Sequence, residues 1–278
     1  MGVPAAKPGL CLLLMAALMS CKSLVLENRK GCPAQLYIDL EEDAKLESKA
    51  SVRIAVRDSR TSEVMAADTP RLEDLDPDRY SLEIHKTEKI VVTGVTGIQR
   101  SKEEVSSRTL TIPSGQEGDP LYLFTSEVPA MEDELIVPAR LRKDHSRMTF
   151  RFSLEDGAFP YHVSVIGNTS GLDLITGRPL EGPFRHEMEE LSPGLFSCIV
   201  PRQRDLMLAL ELTPEEGFTA DEDFSGILLL WEYLERLDGF SWALEDLPDI
   251  NLDIDFFHLN ITVAINDWNI AQTINLTI

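Results

Sequence analysis

The sequence predicts a mainly β protein built as two β-sandwich domains, with one helix in the second. Three observations carry that expectation. Short runs in which apolar and polar residues alternate recur along most of the chain, the pattern of a half-buried strand. Turn-forming residues separate the runs, and the 278-residue chain holds 16 Gly and 16 Pro to supply them. One long segment alone departs from this period and repeats its apolar residues at helical spacing.

In the first half, Leu36, Ile38 and Leu40 alternate with Tyr37 and Asp39. Val52, Ile54 and Val56 repeat the pattern, with Arg53 and Arg57 pointing the other way. Asp74-Leu75-Asp76-Pro77-Asp78 has the chemistry of a turn, because Asp favours turn starts and Pro fixes the following φ. Strands follow over 80–85, 90–95, 109–112 and 121–124, a spacing that suggests a β-sandwich. The stretch from Ser126 to Asp133 reads as a boundary. Residues 21–130 are therefore assigned to an N-terminal β-sandwich domain with a short tether at its start, and 131–278 to a C-terminal one.

The strand pattern restarts over 135–141 and 147–154, where Met148, Phe150 and Phe152 share a face opposite Arg147 and Arg151. It continues over 161–166, 196–200 and 206–212. From Phe224 to Leu237, Ile227, Leu230, Trp231, Leu234 and Leu237 recur at three and four residues, which predicts a single helix across a sheet edge. Asp223 or Ser225 can cap its start and Gly239 its end. Leu252, Ile254 and Phe256 resume the strand period, followed by Ile261, Val263 and Ile265, then by Ile274, Leu276 and Ile278.

The first 20 residues read as a secretory signal. Lys7 is their one charge, and the apolar run from Leu10 to Met19 falls well short of the roughly 20 residues of a bilayer-spanning helix. The run ends in Leu18-Met19-Ser20-Cys21, which resembles a bacterial lipobox. On that reading residues 1–20 are a lipoprotein signal peptide, and Cys21 is the lipidation site, its thiol carrying a diacyl (palmitate-type) lipid. An ordinary signal peptide with an incidental Cys is the alternative. The formal charge of −21 becomes −22 once Lys7 is removed. So acidic a chain has little to draw it to nucleic acid or to anionic lipid headgroups. Membrane attachment then rests on the lipid, at about 0.8 kcal/mol per buried methylene.

Of the four Cys, Cys11 leaves with the signal and Cys21 takes the lipid, which leaves Cys32 and Cys198. A disulfide between these two and a pair of free buried thiols both satisfy the sequence. Neither has a Cys or His neighbour at ligand spacing, so no metal is expected. His85, His145, His162, His186 and His258 are scattered, and the nucleophile elbow, the P-loop and the dinucleotide fingerprint are absent. Asp249, Asn251, Asp253 and Asp255 mimic the opening of a calcium loop. The required Gly and Glu positions hold Ile254 and Asn260 instead, and a half-solvated strand produces the same alternation. These readings point to a non-enzymatic protein without cofactor.

Several short stretches together carry a resemblance. Cys32-Pro33 precedes the Leu36 to Leu40 strand; Asn168-Thr169-Ser170-Gly171-Leu172-Asp173, Thr176-Gly177-Arg178-Pro179 and Gly182-Pro183-Phe184 come later. Pro201-Arg202-Gln203-Arg204, Trp242, Leu247-Pro248-Asp249-Ile250 and the run from Ile261 to Trp268 complete the order. In that order, behind a lipobox, they resemble the fimbrillin-A associated anchor family, the FimB-like minor subunits of type V pili. The resemblance implies two transthyretin-like β-sandwich domains and a lipid-tethered, surface-exposed subunit of a Gram-negative outer membrane. Its partners would be other fimbrial subunits, above all the shaft pilin, joined by strand complementation. With the N-terminus held by lipid, the free donor is the C-terminal strand, with Ile274, Leu276 and Ile278 as inserting side chains. The same segment can instead close its own sheet as a hairpin with Ile261 to Ile265. A different class of function, a surface lipoprotein binding glycan through a β-sandwich face, stands as the alternative.

Overall fold

Apolar alternation resolves into strands along both halves of the chain. The structure, a computed structural model, describes residues 29–41, 46, 49–76, 80–103, 108–153, 159–205, 207–216, 226–237, 239–255, 260–265 and 270–275. The first strands are β1 (Pro33–Leu40), β2 (Arg53–Asp58), β3 (Val64–Asp68), β4 (Leu82–His85) and β5 (Thr87–Thr96). They are followed by β6 (Lys102–Glu103), β7 (Thr109–Thr111), β8 (Tyr122–Ala130), β9 (Glu134–Ala139), β10 (Arg142–Lys143) and β11 (His145–Ser153). Next come β12 (Tyr161–Asp173), β13 (Arg178–Glu187), β14 (Glu190–Ser192), β15 (Leu195–Pro201), β16 (Ala209–Pro214) and β17 (Gly226–Leu229). A single helical turn, α1 (Trp231–Leu234), leads to β18 (Ile250–Asp255), β19 (Asn260–Ile265) and β20 (Ile270–Asn275).

A three-stranded sheet, β4-β1-β9, faces a five-stranded one, β10-β8-β5-β2-β3. Leu36 and Ile38 of β1, Ile54 and Val56 of β2, Ile84 of β4 and Val137 of β9 bury their side chains between them. Each such side chain contributes about 1.5–3 kcal/mol when fully buried. β5 loses the alternation expected of a half-buried strand: Ile90 to Thr96 is buried throughout. Its second face is covered as well, where Val95 and Leu123 pack against Leu110, Leu172 and Leu174 from later strands. Strands covered on both faces read as continuous apolar runs. Gly94 belongs to this packing, since a Cβ there would lie 2.1 Å from the Phe124 ring.

The larger core lies between two six-stranded sheets, β14-β15-β11-β18-β19-β20 and β17-β16-β12-β7-β6, with β13 paired to β12. Met148, Phe150 and Phe152 project from β11 into this core beside Leu252 and Ile254 of β18, as their spacing predicts. Phe159 stacks on Phe152 with ring centroids 4.3 Å apart. Tyr233 and Leu234 of α1 pack onto the same core.

Three expectations change. The segment expected to be one helix over 224–237 is divided among its described residues. Gly226–Leu229 pairs antiparallel with Leu212–Ala209, and only Trp231–Leu234 is helical. Its apolar residues are nearly contiguous, so strand and helix fit them equally, and the open edge of β16 selects the strand. The 130/131 line does not separate the two cores. β9 lies parallel to β1 in the first pair of sheets, and β7, from the first half, pairs with β12 in the second. Arg57, expected on the solvent side with Arg53, is buried next to Arg108 and Asp173, because the later strands cover that face. Among the described residues no helix is long and apolar enough to cross a membrane.

Candidate functional site

A cavity of about 920 Å³ is formed by the β12–β13 turn, the chain after β15, and the loop over 240–245. Asp173 builds the turn. Its Oδ1 accepts from the amides of Ile175 (2.9 Å) and Thr176 (3.0 Å), and its carbonyl accepts from the Gly177 amide at 2.7 Å. Gly177 sits at φ +62°, in the left-handed region where a side chain is costly. Burial works to raise the Asp173 carboxyl. The hydrogen bonds from Arg108, at 3.0 and 2.6 Å, and from the turn amides hold it below its ordinary value.

The opposite wall is held by Arg202, which is 7% exposed. Its Nε donates to Asp144 at 2.5 Å; Nη1 donates to the carbonyls of Trp242 and Leu244 (2.7 Å); Nη2 donates to those of Lys143 (3.3 Å) and Glu245 (3.1 Å). The loop thus wraps a buried guanidinium that satisfies carbonyls no strand could satisfy. Burial pushes the Asp144 carboxyl up, against the pull of Arg202. Arg142 joins the two walls, with Nη2 donating to the Gly177 carbonyl at 2.7 Å.

Two further guanidinia face the cavity. Arg178 is exposed, and among the described residues no acid pairs with it. Arg204 pairs with Glu181, which is itself exposed. The acids of the lining are mostly engaged elsewhere. Asp205 accepts from Asn168 and from the Met207 amide, and Glu245 pairs with Arg140 at 2.7 Å. Among the described residues the charged groups of the lining are Arg, Asp and Glu. Thr176–Pro179, Arg202–Arg204 and Trp242, which the sequence presents as separate stretches, meet here. Nothing in the apolar pattern marks Arg202 or Asp144 as buried, and sequence reasoning missed both.

A second arrangement fixes the beginning of the described chain. Arg29 Nη2 donates to both carboxylate oxygens of Asp133, at 2.8 and 3.0 Å, and the buried Lys86 ammonium donates to the same carboxylate. The Gly31 amide donates to the Lys86 carbonyl at 2.9 Å, and the Lys86 amide to that of Cys32 at 2.8 Å. Arg29, where the described chain begins, is thereby held beside the start of β9.

The residues singled out by sequence fall in several places. Cys21, Leu276 and Ile278 lie outside the described residues. Ile274 lies in β20, which pairs antiparallel with β19 (Ile261 opposite Ile274) and forms the edge of its sheet. Cys32 is exposed and Cys198 buried, and both are free thiols. Burial in the larger core pushes the Cys198 thiol up. Asp249 accepts from Lys143 Nζ at 2.6 Å and the Arg147 amide at 2.7 Å, and Asp253 pairs with Arg151. That is the behaviour of a solvated strand, and among the described residues no His, Cys, Asp and Glu group could hold a metal ion.

Solved structures share this architecture. The chain is similar to the fimbrial anchor protein Mfa2 of Porphyromonas gingivalis, with a TM-score of 0.60 at 12% identity, over 88% of this chain and 100% of that one. A proposed adhesin of Bacteroides ovatus gives 0.59 at 14% identity, over 88% and 96%. A proposed polysaccharide-binding protein of Bacteroides thetaiotaomicron gives 0.58 at 12%, over 88% and 98%. At these identities the likeness is one of fold. No protein-family model matches the sequence, and no curated protein matches it.

Proposed function

We propose that this chain is a non-enzymatic subunit of a type V pilus, tethered by lipid at Cys21 to the outer membrane and holding the shaft at the cell surface. The observation that carries this reading is the likeness to a fimbrial anchor protein across that protein's whole length. Each facing pair of sheets is read as one transthyretin-like β-sandwich domain. The Arg29–Asp133 pair is in keeping with that polarity, since it holds residue 29 at the first pair of sheets. Attachment to the shaft proceeds by β-augmentation, in which main-chain hydrogen bonds supply affinity and alternate side chains fill pockets. β20 is the element for it: among the described residues this edge strand joins its sheet through β19 alone, and it leaves as a unit to complete a neighbouring pilin.

The test is co-purification with fimbrial shafts from cells making the wild-type chain, a Cys21→Ala variant or a chain lacking residues 273–278. The wild type is expected to sediment with both shafts and outer membrane. The Cys21→Ala variant should be shed from the membrane, and the truncated chain should stay there without shafts. Stable membrane association of Cys21→Ala removes the tether. Undiminished shaft attachment of the truncated, folded chain removes the donor role of β20.

A further inference from the structure

We propose that the arginine-lined cavity is a binding site for an acidic saccharide, a glycan bearing hexuronate residues, with Arg178 and Arg204 receiving the sugar carboxylate. Four arginines, Arg142, Arg178, Arg202 and Arg204, converge there on a chain of net charge −21. Their roles differ. Arg202 and Arg142 are consumed by backbone carbonyls and keep the walls in place. Arg178 has no acid partner among the described residues, and Arg204 has one, the exposed Glu181, which a bound carboxylate can replace. A guanidinium fork matches a carboxylate in two parallel hydrogen bonds, which makes arginine the residue for this recognition. The volume, about 920 Å³, lies within the range of sites for small ligands, roughly 300–1,000 Å³.

The same walls favour a sugar over a peptide. An extended peptide binds by adding to an open strand edge. Several backbone groups there are already engaged: the turn is closed by the Gly177 to Asp173 hydrogen bond, and the carbonyls of Trp242, Leu244 and Glu245 are taken by Arg202. It offers instead the partly buried ring of Phe240, braced edge-on by Trp242 at 5.2 Å, as an apolar platform for the C–H face of a pyranose. Ser241 and Thr176, both exposed, add neutral polar groups for hydroxyls. β20, the strand proposed above for shaft attachment, does not contribute to the lining.

Isothermal titration of the full chain with tri-galacturonate, its fully methyl-esterified form and tri-glutamate tests the assignment. Tri-galacturonate is expected to bind, and the ester and the peptide each at least ten-fold more weakly. Arg178→Ala and Arg204→Ala should each lose five-fold or more in affinity while keeping the wild-type melting temperature, since both side chains are surface groups. Absence of tri-galacturonate binding overturns the proposal. So does equal binding of the ester, or equal binding of the peptide, or affinity unchanged in both variants. The shaft co-purification is expected to be unaffected by either substitution, which separates this site from the anchoring role.

Discussion

Arg202 Nε lies 2.5 Å from the carboxylate of Asp144, and both side chains are buried. Removing one partner of such a pair leaves an uncompensated charge in the interior, at about 3–5 kcal/mol. Arg202→Met is therefore expected to lower the unfolding free energy by about that amount in urea denaturation. Arg202→Lys should recover little, because one ammonium cannot span an acid and four carbonyls held in a fork. A loss below about 1 kcal/mol for Arg202→Met would show that the loop over 240–245 does not depend on this guanidinium.

His145 makes stability depend on pH. Its ring is buried, and Nδ1–H donates to the Leu121 carbonyl at 3.1 Å, which fixes the neutral tautomer. Desolvation pulls its pKa down to about 4, whereas the unfolded chain titrates at the ordinary value of 6.5. Between these values the unfolded state binds a proton that the folded state refuses. The contribution is complete above pH 6.5 and is lost as pH falls toward 4, on the order of 3 kcal/mol in all. Denaturation midpoints of wild type and His145→Gln at pH 7 and pH 5 should converge at the lower pH. A gap that stays constant or widens contradicts this linkage.

Gly97 turns the chain out of β5 at φ +89°, and a Cβ there would lie 2.0 Å from the Pro120 carbonyl oxygen. Because that neighbour is backbone, it cannot swing aside. Gly97→Ala is expected to cost about 2 kcal/mol or more, read as a lowered melting temperature. An unchanged melting temperature would mean that the turn relaxes freely.

Phe150 is fully buried at the centre of the larger core. Phe150→Ala should cost about 3–5 kcal/mol, and Phe150→Leu clearly less. Equal losses for the two would point to a core that does not repack around a partial cavity.

What was legible in the sequence was what one strand can say about itself. Leu36 and Ile38, Met148 to Phe152, and Leu252 with Ile254 alternate because one face of each strand is wet, and all are found inward. What was illegible depends on a second element arriving from elsewhere. Arg57 looks like Arg53 until later strands cover its face; Ile227 looks helical until β16 offers an edge. The strand at Glu134 reads as a new beginning although it completes the sheet of β1. The cavity was visible only as separate stretches, Thr176–Pro179, Pro201–Arg204 and Trp242. A buried arginine bonded to loop carbonyls leaves no periodic trace.

The clamp at Arg29 has a mechanical consequence. Tension on the chain ahead of residue 29 first meets the two-pronged Arg29–Asp133 pair, then the start of β1. β1 is the middle strand of its sheet, with β9 running parallel to it. A pull on the leading end of β1, resisted where the chain continues beyond the trailing end of β9, acts along the strands. The inter-strand hydrogen bonds from Gln35 to Leu40 are then loaded together in shear and do not peel apart one at a time, so the joint between β1 and β9 resists a pull along the chain better than a hairpin unzipped from its end.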